Sequence, residues 1–415
     1  MQNNGSQSGS NGSSNTGSDT GSKKGSRMPG FYKLSVEERR ELLRHRADLS
    51  EQELETLDGG GLDTAAADRI VENVVGVYAL PLGLGLNFRV NGRDVLVPMA
   101  VEEPSVIAAA SNAARMVREG GGFVAEADDP VMTAQIEIVD VADPEASVAR
   151  LEAAVDELLS LAHDTLPRLR QRGGGAREIE VRAHPRRVVV HVHVDCRNAM
   201  GANMVNTVAE ALAARVAELA GGRSGLRILT NLCDRRCVRV KARVPASALG
   251  TAELDGAAVR DGIVAASLFA EDDPYRAATH NKGIMNGVDA VVIATGNDWR
   301  GVEAVAHAFA AQSGRYRPLA TWRAEEGDLV GSLEMPMALG TVGGTLQAHA
   351  GARLAQKLIG AADASSLAMI VASAGLASNL AALRALASEG IQRGHMALHR
   401  RATSPAGHPV VGDRS

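Results

Sequence analysis

The sequence predicts an α+β protein in which a compact β-α-β-β-α-β unit interrupts a larger, mostly helical one. Three observations point there. Between Val131 and Leu232 the apolar pattern switches between a period of two and a period of about 3.6, in that order of elements. The last third of the chain alternates Ala/Leu-rich helical stretches with glycine turns. The composition, 45% hydrophobic with only 3% aromatic over 415 residues, calls for a core of aliphatic packing. That length suits roughly two or three domains.

Residues 1–27 are Gly, Ser and Asn with few apolar side chains, so a disordered tail without a secretory h-region is expected. Ser35 to Leu57 reads as two short helices, opened by Ser35 with Glu38 and by Ser50 with Glu53. Asp68 to Tyr78 continues a helical pattern until Ala79 to Gly85 breaks it. Phe88–Val90 and Asp94–Val97, joined by Asn91-Gly92, form a hairpin. Pro104 to Glu119 is an Ala-rich helix stopped by Gly120-Gly121-Gly122. Val131–Val139 is a strand, Ser147–Arg172 a long helix, and Ile179–Ala183 and Val188–Val194 two strands. Asn203–Ala220 is a helix and Leu226–Leu232 a strand, completing the split βαβ order of ferredoxin-like domains. Strand returns after Cys237, followed by a helix over Gly256–Phe269. Val288–Ala294 reads as a buried strand and a helix starts at Trp299. Helical stretches at Gly351–Gly360, Ser365–Leu376 and Asn379–Glu389 follow.

Composition also excludes. A net charge of −5 gives no general drive toward nucleic acid or an anionic membrane. No uninterrupted apolar run approaches the ~20 residues of a membrane span. Cys196, Cys233 and Cys237 make no zinc pattern, and reduced, cytoplasmic thiols are the simplest reading.

Five stretches could carry chemistry. His280 to Arg300 places Lys282 and Asp298 in polar turns at the two ends of the expected strand, which would hold an ammonium and a carboxylate on a rigid frame. A solvated lysine and a helix N-cap are the plainer alternatives. In Glu102-Glu103-Pro104-Ser105 the acids either complement a helix dipole or supply a desolvated proton donor. Asp195 to Asn203 ends a strand and opens a helix with small residues, a plain turn or a phosphate-binding backbone; no GxGxxG accompanies it. Arg168, Arg170, Arg172, Arg177, Arg182, Arg186 and Arg187 form a solvated basic face or an anion-recognition surface. His395 and His399 have metal-compatible i, i+4 spacing, but the Glu of HExxH is absent, and one histidine acting as an acid fits better.

In this order, the motifs resemble those of the hydroxymethylglutaryl-CoA reductase family, in its soluble bacterial class II form. The carriers are Glu72-Asn73-Val74-Val75-Gly76, Pro98 to Ser111, Asn198 to Asn203, His280 to Arg300, Gly340 to Gly344 and Gly390 to His399. They span about residues 30 to 400. The resemblance implies a large catalytic and CoA-binding domain formed by residues 28–128 and 236–400. A small dinucleotide-binding domain of residues 129–235 is inserted in it, and 401–415 form a short tail. It implies a homodimer, or higher homo-oligomer, with the active site at the subunit interface. It further implies catalytic roles for Glu103, Lys282, Asp298 and His395, and substrate contacts from Ser105, Arg276, Asn286 and Asn379. Cofactor contacts would come from Asn198, Met200, Gly201, Ala202, Asn203, Asn231 and Arg168. The implied reaction joins 3-hydroxy-3-methylglutaryl-CoA to mevalonate and CoA by two hydride transfers with NADPH or NADH, and no metal is required. Membrane and nucleic acid have no part in it.

Three departures from the family pattern stand out. Asn198 replaces the usual Asp. Leu166, with Arg168 and Arg170 nearby, stands where NADH-using relatives carry an acid, which favours NADPH. Only a short Pro/Gly segment follows His399, where class II relatives carry a mobile helical flap. That shortage leaves a rival open, a flapless acyl-CoA-binding paralogue of low activity with a regulatory role in hetero-oligomers. The physiological direction, synthesis or breakdown of mevalonate, is open as well.

Overall fold

The computed structural model describes residues 25–388; most of the expected N-terminal tail, the histidine motif of residues 394–399 and the C-terminal tail lie outside them. The N-terminal helices α1 (Val36–Ala47) and α2 (Glu51–Asp58) open on the expected reciprocal capping boxes at Ser35 and Ser50. Helix α3 (Thr64–Ile70) ends well before the expected Tyr78. The Val-rich stretch that follows has poor helix propensity, Asn73 takes a left-handed φ of 58°, and the chain stays irregular to Pro81.

Strand β1 (Leu82–Gly85) pairs antiparallel with β4 (Val97–Ala100). Between them lies the expected hairpin, β2 (Arg89–Val90) and β3 (Arg93–Asp94). Asn91 and Gly92 both have positive φ, as the two-residue turn demands. Helix α4 (Val106–Glu119) and strand β5 (Phe123–Ala127) lead into the small sheet.

That unit runs β6 (Val131–Val139), α5 (Pro144–Ala153), α6 (Val155–Thr165), α7 (Pro167–Gln171), β7 (Gly175–His184), β8 (Arg187–Asp195), α8 (Ala202–Ala220) and β9 (Arg223–Thr230). Its four strands are ordered β7-β8-β6-β9, all antiparallel, which is the ferredoxin-like arrangement. The single helix expected over Ser147–Arg172 is instead three. It breaks at Ala154, and again where Pro167 lacks an N–H and restricts Leu166 before it. The unit has its own aliphatic core, centred on Met132, Ile136, Leu151, Val190, Val208 and Leu212.

The chain continues through β10 (Cys237–Val244), α9 (Ala246–Leu249), α10 (Gly256–Asp272), α11 (Pro274–Ala294) and α12 (Trp299–Ala310). Then come β11 (Ala320–Glu325), β12 (Asp328–Pro336), α13 (Gly344–Ala348), α14 (Ala350–Ile359) and α15 (Ala364–Ala387). A six-stranded sheet, β11-β12-β10-β5-β2-β3, carries α15 on one face, with α4, α10 and α11 packed on α15.

Three sequence expectations fail here. Val288–Ala294 is no strand but the last two turns of α11, so Lys282 stands on a helix and not in a loop. The hairpin β11–β12, turned at Glu326-Gly327 with both φ positive, went unread among the expected helices. Ser365–Leu376 and Asn379–Glu389 are one continuous helix through Ala387. With 24 residues and a mean hydropathy of 1.7 in its most apolar stretch, α15 is long and apolar enough to cross a bilayer. It is instead mostly buried at the centre of the larger core, which accounts for its composition.

Candidate active site

Helix α11 sets out the site. It starts from Asp273, whose carboxylate accepts the Arg276 N–H at 2.8 Å, with Pro274 in the first turn. On an ideal helix Lys282, Asn286 and Asp289 fall on one face, within about 60° of each other. Arg276 lies about 80° round from Asn286. The opposite face, with Ile284, Gly287, Val288 and Val291, is buried. Gly287 lets α15 come close: a Cβ there would sit 2.4 Å from the Ala374 carbonyl oxygen.

The Lys282 ammonium reaches Glu103 Oε2 at 2.9 Å, across 179 positions of sequence. Glu103 sits in the turn before α4 and is one-third exposed, while Lys282 is mostly exposed. Glu102, beside it, faces solvent. Ser105, the N-cap of α4, holds a left-handed φ of 80° and makes no side-chain cap. Its hydroxyl is buried without a hydrogen-bond partner among the described residues. A strained residue whose polar atom is left unmatched suits ligand contact better than packing.

Of the other expected substrate contacts, Arg276 is half-buried, has no carboxylate partner among the described residues, and burial holds its pKa below the ordinary value. Asn286 is half-buried one turn after Lys282. Asn379 differs: it is buried on α15, accepts from Trp322 Nε1 at 2.8 Å and donates to the His280 carbonyl at 3.5 Å. In this conformation it joins α15 to α11 from inside. His280 itself is buried, and burial, then Arg276, push its ring down to about 4, so it is neutral.

Asp298 caps α12, with Oδ1 accepting from Gly301 N at 3.1 Å. The absence of a side chain at Gly301 brings Asp298 and Asn231, from the end of β9, over the same point. Among the described residues the ion pair of Lys282 is with Glu103 and not with Asp298.

The loop between β8 and α8 carries Asn198, Met200 and Gly201, and Ala202 and Asn203 open α8. Gly201 has a φ of 108°, and a Cβ there would strike Cys196 Sγ at 2.4 Å. No side chain caps α8, so its first-turn N–H groups are left for an anion, and the backbone is approachable. These features fit the pyrophosphate of a dinucleotide. The Asn198 carbonyl accepts from Thr341 N at 2.9 Å, and Asn198 Oδ1 from Ala364 N at 3.3 Å. Arg168 is exposed on α7, and the turn after α7 is tied to this loop by Arg197, which donates to the Gly173 carbonyl. His395 lies outside the described residues.

The sequence profile of the hydroxymethylglutaryl-coenzyme A reductase family matches residues 35–400. The 3-hydroxy-3-methylglutaryl-coenzyme A reductase of Archaeoglobus fulgidus is 47% identical over 380 residues, 90% of this chain and 86% of that one. The chain belongs to the hydroxymethylglutaryl-coenzyme A reductase family. A probable reductase of Borreliella burgdorferi is 34% identical, over 80% of this chain and 76% of its own length. The solved class II reductase of Streptococcus pneumoniae, bound to NADPH in open conformations, superposes with a TM-score of 0.83 at 42% identity, covering 87% of this chain and 99% of that chain. Family membership makes the chain an NAD(P)-dependent oxidoreductase acting on hydroxymethylglutaryl-CoA, and the fold is that of class II reductases.

Sequence reasoning gave no role to the residues that tie this candidate site together. Asn297 Oδ1 accepts from Gly340 N at 2.7 Å. Gly340 in turn packs so tightly on the cofactor loop that a Cβ would meet Met200 N at 2.7 Å. The turn carrying Asp298 is thus tied to the expected cofactor loop. Arg236 is buried and donates to the carbonyls of Met200, at 3.1 Å, and Leu339. The only signal for it was its place in an Arg235-Arg236 pair between Cys233 and Cys237.

Proposed function

We propose that Glu103, Lys282, Asp298 and His395 carry the two-step reduction of the thioester to mevalonate, or its reverse. The observation that carries this reading is the ion pair between Lys282 and Glu103, which joins two described members of the expected set across 179 positions of sequence. Bound NADPH or NADH supplies hydride. The Lys282 ammonium stabilises the oxyanion that develops on the substrate carbonyl, first of the thioester and then of the aldehyde. Glu103 first takes up a proton from solvent in place of its resting ion pair, and the carboxylic acid so formed delivers that proton to the oxygen. Asp298, fixed by its capping bond, adds a second carboxylate to the set. His395 protonates the departing CoA thiolate.

Ser105, Arg276 and Asn286 bind the carboxylate and hydroxyl of the substrate, with Asn379 positioning α11. The 198–203 loop and Asn231 hold the dinucleotide, with Arg168 toward the adenosine ribose, and NADPH is favoured over NADH. Residues 129–235 act as the dinucleotide-binding domain and 28–128 with 236–400 as the catalytic domain. The reductase works in the cytoplasm as a homodimer. The stretch after α3 supports that assembly: Val71, Val75, Tyr78 and Leu82 are exposed around the Glu72-Asn73-Val74-Val75-Gly76 motif, an apolar surface suited to a second copy.

The test is Lys282→Ala. The side chain is mostly solvent-facing, so the variant should fold and bind dinucleotide. Nicotinamide absorbance should show turnover abolished with both hydroxymethylglutaryl-CoA and mevaldehyde. Normal turnover with either would sink the assignment.

A further inference from the structure

We propose that Glu180, His191 and His193 form a separate, non-catalytic site for one divalent transition-metal ion, of the zinc class, on the open face of the small sheet. The helices α5, α6 and α8 cover the other face, where Val188, Val190, Val192 and Val194 point. The alternation of β8 therefore puts both histidines on the uncovered side. Glu180 on β7 is the direct cross-strand partner of His191. One donor atom from each of the three side chains lies within 4.8 Å of the others.

The geometry resembles a metal site more than a hydrogen-bonded cluster. His193 is 2% exposed, and its Nε2 is buried without a hydrogen-bond partner among the described residues. That nitrogen stands 3.5 Å from Glu180 Oε2. Two ligands about 2.1 Å from a tetrahedral zinc are separated by about 3.4 Å. The other ring nitrogen, Nδ1, lies 2.8 Å from Thr133 Oγ1, and His191 Nε2 lies 2.9 Å from the Gln135 amide. Each ring thus has a neighbour on β6, and a metal on His191 Nδ1 requires the Gln135 amide to turn its oxygen to Nε2, because a metal-bound histidine donates from its other nitrogen. The three side chains line a cavity of about 360 Å³ that also includes Thr230 and Asp234.

Two arginines oppose a cation here, and both are already matched. Arg182 Nε bonds Glu180 Oε1 at 2.7 Å, leaving Oε2 toward the histidine. Arg235 is drawn to Glu178, and its nearest approach to Glu180 Oε2 is a weak 3.4 Å. Two imidazoles and one carboxylate leave further coordination positions to water, and select borderline metals over magnesium or calcium. The ion would tie β7 to β8. None of the three ligands is among the residues proposed for the reductase chemistry, so the test reads metal directly and not reductase activity.

The experiment uses the full chain, stripped with chelator and dialysed, then equilibrated with micromolar zinc chloride. Metal analysis should give one more equivalent in the wild type than in His193→Ala or Glu180→Gln. Cobalt(II) should give visible absorption bands that both variants lose. Because buried His193 could be needed for folding, half-buried Glu180→Gln is the cleaner variant, expected to weaken zinc at least tenfold with an unchanged circular dichroism spectrum. X-ray absorption of the zinc-loaded wild type needs no variant, and should show two imidazole nitrogens in the first shell. No uptake, equal stoichiometry in all three proteins, or a shell of oxygens alone would overturn the proposal, leaving water as the occupant or other histidines as the binders.

Discussion

Replacing Gly287 with alanine separates what α11 needs for packing from what it needs for chemistry. A Cβ at position 287 would lie 2.4 Å from the Ala374 carbonyl oxygen and 2.5 Å from Ser378 Oγ. That is about an ångström inside normal contact, and the carbonyl, being backbone, cannot rotate away. Overpacking of this kind costs about 1–3 kcal/mol, while alanine in a helix interior returns up to about 1 kcal/mol. The net expectation is a loss of about 1–2 kcal/mol. The control is one turn earlier. A Cβ on Gly283 meets nothing nearer than the Ala382 Cβ at 3.9 Å, ordinary contact. Gly283→Ala should therefore stabilise the protein by about 0.5–1 kcal/mol. Since Lys282 and Asn286 ride on the same helix, a shift near 1 Å could also cost Gly287→Ala about a hundredfold in kcat. Urea unfolding followed by circular dichroism, with nicotinamide absorbance for turnover, reads both effects. If Gly287→Ala is as stable as Gly283→Ala and keeps wild-type kcat, the close approach of α11 and α15 does not position the lysine.

Three further outcomes are expected. His395→Ala should impair reduction of the thioester far more than reduction of free mevaldehyde, and equal losses would remove its role as proton donor to the thiolate. Comparing kcat/KM for the two nicotinamides should favour NADPH, and a clear NADH preference would refute the reading of Arg168 and Arg170. Burial first, and then the Glu303 carboxylate beside it, hold the Asp289 pKa well above the ordinary range. An acid whose folded pKa is raised contributes stability at low pH that is lost as pH rises from about 4 through the folded value. Asp289→Asn should therefore gain stability over wild type with rising pH and show no gain below about pH 4. A pH-independent difference in unfolding midpoint would contradict this.

The small sheet was legible because one of its faces packs on helices and takes the aliphatic residues, so Val131–Val139 and Val188–Val194 alternate apolar and polar side chains. The capped helices at Ser35 and Ser50 were legible because capping is local chemistry. Val288–Ala294 was misread because the end of α11 is buried nearly all round, and full burial erases the helical period that the sequence would otherwise display. The single helix α15 looked like two for a related reason. Gly375 and Ser378, which suggest a break, are there to admit α11: a Cβ on Gly375 would sit 2.8 Å from Val288 Cγ2. The Lys282–Glu103 pairing and the tie between Asn297 and Gly340 depend on long-range packing, and no local pattern could reveal them.

Moving Lys282 from a loop to a helix changes how the site is specified. In a turn, the ammonium would have been placed by the loop's own conformation, and in a strand its neighbours at 284 and 286 would have shared its face. On α11, the face of Lys282, Asn286 and Asp289 is opposite the face of Ile284, Gly287 and Val291, about 180° round the axis. The inward face is locked to α15 by the Gly287 and Gly375 contacts, and Asn379 reaches from α15 to the His280 carbonyl, two residues before the lysine. The position of the ammonium is therefore set by the packing of two core helices. Glu103 comes to it from the start of α4, which packs on α15 as well. Both members of the ion pair are thus referred to one buried helix. For that reason a methyl group added behind α11 is expected to be felt at Lys282, although it touches neither the lysine nor the glutamate.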